Sequence, residues 1–211
     1  MSQKHIVFST AAALLFAVSN AQAAAPTAEL KVTGTLTVPT CSVASAEDGV
    51  YNIGKVSGTL VSATANTKLA EMNKTWTITC DAETYLNFKP VDNRAATASA
   101  TGTANFGLGN VNTTGKIGFY NVTMKNGLVD GKTTTLFSAP ATSFTASSSV
   151  TVDAANRNGW AAGNSTQKSG RVFVADLAVT PTLANTTTMG GAITDDTDID
   201  GSLTLNFAYG I

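Results

Sequence analysis

The chain of 211 residues carries 13 lysines and arginines against 14 aspartates and glutamates, a net charge of −1, and charged residues make up only 13% of it. This balance excludes a strongly basic face, so we expect neither nucleic acid nor an anionic membrane surface as a partner. Threonine, serine, asparagine, alanine and glycine are abundant, a composition typical of strands and polar turns rather than helices.

Residues 1–23 have the features of a cleaved secretion signal, with an apolar run from Ile6 to Val18 followed by Ala21-Gln22-Ala23, a small-x-small cleavage pattern. A retained amphipathic anchor is the alternative. The apolar run is shorter than the roughly 20 residues that span a bilayer, so we expect export without membrane insertion. His5, the only histidine, leaves with the signal, which excludes histidine-dependent hydrolysis. We therefore expect no enzymatic activity and no cofactor.

The first predicted strand follows this segment. Its apolar positions recur with period two, the spacing of side chains on one face of a strand, while threonines and a lysine fill the other face. The apolar face comprises Leu30, Val32, Gly34, Leu36 and Val38. The pattern does not decide whether this face fills the chain's own core or that of a neighbour.

Further strand patterns recur along the chain with turn residues between them. We predict strands at residues 50–54, 74–80, 84–91, 116–124, 133–139, 149–154, 171–181 and 201–211. Polar segments at 92–105, 156–170 and 184–201 are predicted as loops. No segment has an apolar stripe at helical spacing, and no linker divides the chain. The prediction is one all-β domain, an antiparallel immunoglobulin-like sandwich.

Two cysteines, Cys41 and Cys80, lie 39 positions apart. In an exported protein such a pair indicates a disulfide, and two free buried thiols are the alternative. Each cysteine ends a strand pattern, so the bond is expected to join two neighbouring strands.

Two loop features have a functional and a structural interpretation. In the stretch from Asp195 to Gly201, DDTDIDG, a calcium loop that starts at Asp196 would have Asp198, Asp200 and Gly201 at its third, fifth and sixth positions. Its twelfth position is Phe207 rather than glutamate. An acidic solvated turn is the alternative. Trp160, in the predicted loop 156–170, either packs on the sandwich, stacks on a sugar ring or marks a subunit contact.

The layout of the chain resembles that of chaperone–usher pilin (fimbrial) subunits. The resemblance rests on a secretion signal, a period-two strand with a central Gly34, Cys41 seven residues later and a second cysteine about forty residues on. At the other end, LTLNFAY alternates Leu203, Leu205, Phe207 and Tyr209 close to the terminus.

The resemblance implies an incomplete sandwich that lacks its last strand and is completed by a strand from another molecule. It divides the chain into a signal at 1–23, an N-terminal extension at 24–33 that is donated to a neighbour, and a pilin-like body at 34–211. Ala28, Leu30 and Val32 are the expected pocket-filling residues. Leu36 and Val38 are assigned to the subunit's own first strand. The alternating residues from Leu203 to Tyr209 are assigned to the groove-edge strand that a chaperone contacts.

The function that the resemblance implies is that of a structural subunit of a bacterial surface fimbria that supports adhesion. Its expected partners are a periplasmic chaperone, an outer-membrane usher and neighbouring pilin subunits. The expected route leads through the periplasm to the cell surface. The alternative is a self-contained periplasmic or secreted sandwich that binds a glycan or another small ligand, in which the last strand pairs within its own domain.

Overall fold

The computed structural model describes residues 25–210. The predicted signal at 1–23, the first residue of the predicted extension and the final residue lie outside the described residues. Within the described part the chain is nearly all β, which confirms the predicted fold class. Short 3-10 helices occupy Ala46–Gly49, Gly58–Leu60 and Ala95–Thr97. No helix in this part of the chain is long and apolar enough to cross a membrane.

The described residues form fourteen strands, several of them very short. They are β1 (Cys41–Ser45), β2 (Thr67–Lys68), β3 (Met72–Asp92), β4 (Phe106–Gly107), β5 (Asn110–Val111), β6 (Gly115–Lys116), β7 (Gly118–Val129), β8 (Lys132–Thr133), β9 (Thr135–Ala139), β10 (Ser149–Thr151), β11 (Arg157–Gly163), β12 (Thr166–Gln167), β13 (Ser169–Leu183) and β14 (Leu203–Tyr209).

The strands form two layers that share β3. Its first half pairs with β1 and β13, and the first layer continues through β7 to β10. Its second half pairs with β14 and β11, and the second layer continues to β9. All of these pairings are antiparallel. The predicted strands at 74–80 and 84–91 are thus one continuous strand that passes from one layer to the other.

The strand order explains why one edge stays open. The order β1, β3, β13, β7 matches strands A, B, E and D of an immunoglobulin-like sandwich, and β14 beside β3 matches F beside C. In the complete sandwich, strand G pairs with the other edge of F. Among the described strands, β14 has β3 as its only partner, so its second edge carries no ladder.

The core lies between the two layers and is built from alternating positions of the long strands. Along β7, buried residues alternate with half-buried ones, as expected for a strand with one face inward. Trp160 on β11 is fully buried with its ring 5.2 Å from that of Phe173, and its Nε1–H donates to the carbonyl of Val174 at 2.8 Å. This indole therefore joins the second layer to the first.

The first predicted strand is absent, and this prediction was wrong. Residues 25–40 have no regular secondary structure, and the first strand instead begins at Cys41. The apolar side chains of the predicted strand are exposed: Leu30 86%, Val32 89%, Leu36 104% and Val38 80%. Leu36 and Val38 thus do not belong to a first strand of this domain. A period-two pattern specifies a strand only where a partner edge is present, and the described residues provide none here.

Two further predictions differ from the structure. The segment at 50–54 is not a strand, and a strand, β11, lies within the predicted loop at 156–170. Small residues disguise β11: a side chain at Gly159 would meet the Phe137 ring at 2.8 Å and the Leu86 carbonyl oxygen at 2.9 Å. Such close approach favours glycine inside a strand. The predicted strands at 116–124, 133–139, 149–154, 171–181 and 201–211 are confirmed, with shifted ends.

Candidate functional site

An apolar groove runs beside the free edge of β14. Leu203, Leu205 and Phe207 face inward and are half-buried, whereas Thr204 and Asn206 point outward and are exposed. These inward side chains pack on the core without being enclosed by it. The alternation predicted for this strand is present, although Tyr209, at its end, is 44% exposed.

The central part of the groove is a cavity of about 380 Å³ beside Leu203 and Leu205. Its floor comes from the first layer. Its lining is largely apolar and includes Met72, Trp76, Leu108, Tyr120, Val122, Leu177 and Val179. Towards Phe207 the space narrows to a small gap beside Ile78, Met124 and Trp160. The core is therefore open to a chain that would lie along β14.

A wider cleft of about 800 Å³ continues beyond the start of β14. Its walls are residues 50–58 and the loop from Ile193 to Ile199, and its floor includes Ile117, Leu183 and Met189. Three aspartates of the loop stand at its rim. Four residues, Val50, Tyr51, Ile53 and Ile199, line both this cleft and the central cavity.

A small polar network fixes the wall opposite β14. The Tyr51 hydroxyl donates to the carbonyl of Leu177 at 2.8 Å and accepts from Trp76 Nε1–H at 3.0 Å. The Lys74 ammonium lies 5.7 Å from the centre of the Tyr51 ring and 2.7 Å from Glu47. Burial raises the pKa of Tyr51, against the hydrogen bond from Trp76, so this hydroxyl remains a donor at neutral pH.

The disulfide is confirmed. Cys41 and Cys80 are bonded across the β1–β3 pair, with their Cα atoms 4.0 Å apart. It therefore joins two neighbouring strands, as expected from the sequence. Cys41 is the first residue of β1 and follows directly on the exposed segment, so that segment ends at a covalent anchor.

The expected pocket-filling residues Ala28, Leu30 and Val32 are exposed in the segment at 25–37, which has no regular secondary structure. The packing of the chain groups the residues before Val38 separately from those that follow. The predicted division between residues 33 and 34 stays a prediction.

The loop features have structural explanations. Asp200 forms an ion pair with Arg94. Within residues 25–210 no three His, Cys, Asp or Glu side chains converge as metal ligands would. The buried ring of Trp160 has no free face on which a sugar could stack. The expectation that it lies in a loop was wrong.

Sequence reasoning missed the wall of the groove. Tyr51 and Trp76 were both expected in strands, at 50–54 and 74–80, and neither was assigned to a site. The hydrogen bond between their side chains connects residues 25 positions apart, and no local pattern encodes such a contact. The alternation in LTLNFAY was the usable signal, and it identified one wall only.

The comparisons with known proteins give one match. A family described as a protein of unknown function (DUF1120) matches residues 30–135, half of the chain, and the chain belongs to this family. No curated protein and no solved structure matches it. The matched span includes the exposed apolar segment, β1, β3 and β7.

Proposed function

We propose that this member of the DUF1120 family is an exported structural subunit of a bacterial surface fibre. Each copy donates its exposed N-terminal strand to the groove of the next copy. The observation that carries the proposal is that one chain has both an open apolar groove beside β14 and an unpartnered period-two segment at residues 30–38.

The groove has the properties of a site for strand addition. A free strand edge offers a row of unpaired N–H and C=O groups, and adding a strand there forms main-chain hydrogen bonds while alternate side chains enter pockets. The inward face of β14 supplies Leu203, Leu205 and Phe207 as one side of these pockets. A seventh strand at this edge would complete the immunoglobulin-like order.

The donated segment extends further than the resemblance implied. Leu36 and Val38 are as exposed as Leu30 and Val32, so the proposal assigns residues 30–38 to the donated strand. The anchor at Cys41 lies three residues later. Burying one Val or Leu side chain contributes about 1.5–3 kcal/mol, so four such residues provide a firm joint between subunits.

The opposite face of this segment suits an exposed position in the joint. Glu29 and Lys31 lie on that face and form a solvated ion pair at 3.6 Å, and threonines follow. No charged residue interrupts the apolar face between residues 30 and 38. The strand can therefore add to β14 without burying a charge.

Assembly is proposed to follow the chaperone–usher route. A periplasmic chaperone would cover the groove until an outer-membrane usher exchanges it for the next subunit, and the finished fibre would support adhesion. This part of the proposal rests on the resemblance of the sequence to pilin subunits.

The alternative hypothesis is a self-contained sandwich that binds a glycan. The two hypotheses make different predictions for the second edge of β14. Pairing of β14 with β3 of its own chain occurs in both hypotheses. Only the self-contained sandwich requires that the chain itself fill the other edge.

The test compares two variants of the purified chain that differ only in the face they alter. Leu36→Asp places a charge on the apolar face, and Thr35→Asp places it on the opposite face. Light scattering after size-exclusion chromatography measures the assembly. We expect Thr35→Asp to form linear multimers like the wild type and Leu36→Asp to remain monomeric. Equal assembly of the two variants would refute the proposal, and stable monomers of all three proteins would favour the self-contained sandwich.

A further inference from the structure

A short segment of the chain crosses the groove. Residues 50–53, which we call the strap, contribute Val50, Tyr51 and Ile53 to the linings of both the central cavity and the wider cleft. Because the two spaces share these side chains, the strap lies between them. The strap therefore lies close to the start of β14, where the central cavity meets the wider cleft.

The strap has a strand-like sequence but no strand pairing. Within the described chain the backbone of residues 51–56 takes part in no backbone–backbone hydrogen bond. Val50 N–H donates back to Glu47, and Gly54 N–H donates to the Asn52 side chain. The strap is thus not part of either layer.

Side-chain contacts hold the strap in place. The main anchor is Tyr51, through its hydrogen bonds to Leu177 and Trp76 and the ammonium group of Lys74 beside its ring. All three partners belong to β3 or β13. The strap is therefore held on the first layer chiefly through one tyrosine.

Glycines in the left-handed region stand at both ends of the strap. Gly49 has φ of 79° and Gly54 has φ of 72°, a conformation that costs other residues strain. A side chain at Gly54 would meet no atom within 4 Å, so this end is also sterically free. Such positions absorb changes in backbone angles during hinge motion.

The lengths of the two strands place the strap in the path of the donated segment. At about 3.3 Å per residue, β14 with its seven residues spans about 23 Å and a donated strand of nine residues about 30 Å. A strand that adds antiparallel to β14 from Phe207 onward therefore runs past Leu203 and reaches the strap.

We infer that the strap is a built-in cover of the groove, latched by Tyr51, which an incoming strand displaces. The inference rests on the proposed function for the identity of that strand. In the free subunit the cover shields part of the apolar floor from solvent and from unselective partners. Insertion then requires that the latch open, which sets an upper limit to the rate of joining.

The test uses the purified chain carrying Leu36→Asp, which the proposed function keeps monomeric with an unfilled groove, as the parent protein. Two probes are applied to it. The first probe is the apolar dye ANS, which reports accessible apolar surface. The second probe is a synthetic peptide of residues 28–40, whose uptake is followed by stopped-flow fluorescence. Tyr51→Phe removes the latch hydroxyl, and Tyr85→Phe is the matched control because Tyr85 is an exposed tyrosine on β3 away from the groove.

The cover predicts three results. In the parent background, Tyr51→Phe binds more ANS than Tyr85→Phe or the parent itself. Peptide uptake by the parent reaches a rate plateau at high peptide concentration. Tyr51→Phe raises this plateau about thirty-fold, the effect of losing the two ordinary hydrogen bonds of the hydroxyl. Hydrogen exchange at the amides of residues 51–53 stays fast after the peptide has bound.

Equal ANS binding by the two variants would overturn the inference that the strap covers the groove. Protection of the amides of 51–53 in the complex would also overturn it, since the segment would then be a second pairing edge. If the peptide does not bind at all, the proposed function fails, and the ANS comparison still decides whether the strap covers the groove. A single cooperative urea transition in each variant establishes that both are folded.

Discussion

Cys41 lies directly opposite Cys80 across the β1–β3 pair, and the bond between them joins the end of the exposed segment to the strand that both layers share. The five residues of β1 have no other strand partner in the described chain. Without the bond, the short β1–β3 ladder and the hydrogen bonds between Thr40 and Asp81 would hold the base of the exposed segment to the domain.

Removing the disulfide should lower stability substantially. Closing a loop of 39 residues stabilises a fold by about 4 kcal/mol in the chain-entropy account. We expect Cys41→Ala with Cys80→Ala to lower the free energy of unfolding in urea by about that amount. A reductant should destabilise the wild type and leave the double variant unchanged. If the free energy of unfolding falls by less than about 1 kcal/mol, the unfolded chain must retain structure that already keeps the two cysteines close together.

Donor and acceptor functions should separate by mutation. Leu36→Asp is expected to lose donation and keep its groove, whereas Leu205→Asp is expected to lose the groove and keep its donated strand. Each variant alone should stay monomeric. Mixed in equal amounts, they should form a one-to-one heterodimer, in which Leu205→Asp donates its segment to the groove of Leu36→Asp. Nothing larger should form, because the donor segment and the groove that remain free in this dimer are both the mutated ones.

Light scattering of the mixture measures this outcome. Asn206→Asp, which alters the exposed face of the same strand, is the control for Leu205→Asp and should assemble like the wild type. Multimers longer than two in the mixture would contradict the assignment of the two roles.

The two tryptophans should respond differently when the groove is filled. Trp76 is half-buried in the groove wall and Trp160 is fully buried in the core. In the monomeric Leu36→Asp chain, binding of the peptide of residues 28–40 should shift the emission of Trp76 to shorter wavelength and protect it from acrylamide. The signal should persist in Trp160→Phe and vanish in Trp76→Phe. A response that requires Trp160 would place the peptide elsewhere.

One exposed turn should make stability depend on acid pH. Backbone N–H groups of Val172 and Arg171 donate to the Asp130 carboxylate, both at 2.9 Å, and hold the pKa of this carboxyl below its ordinary value. A carboxyl with a lowered folded-state pKa stabilises the fold above its unfolded pKa of about 4 and ceases to do so as pH falls through the folded value. Asp130→Asn should therefore unfold at lower urea concentration than the wild type at pH 7.

The difference between the two proteins should shrink as the pH falls below 4. Urea midpoints measured from pH 7 to pH 3 test this. The turn variant Lys132→Gln, two residues on and without a carboxylate, is the control and should show no such convergence. A difference that is independent of pH would mean that Asp130 acts through turn conformation rather than charge.

The sequence predicted the class of fold and much of the strand order, because period-two alternation is local and survives in strands such as β7, β13 and β14. It missed β11, where Gly159 and its small neighbours carry no alternation. For residues 30–38 it predicted a strand that is absent from the structure, because pairing depends on a partner edge elsewhere. The groove was beyond its reach, because Trp76, Leu177 and Leu205 meet only once three separate strands are in place.

The shared strand β3 has a consequence for how the chain acquires its structure. Leu203 pairs with Asp92, and Val179 pairs with Met72, so each layer needs segments made long after β3. Such distant pairings carry a large loop-closure entropy and form slowly. Neither layer can nucleate to completion on a nascent chain, so folding must wait until nearly the whole polypeptide has been synthesised. A kinetic delay of this kind leaves time for an accessory protein to bind before the layers close.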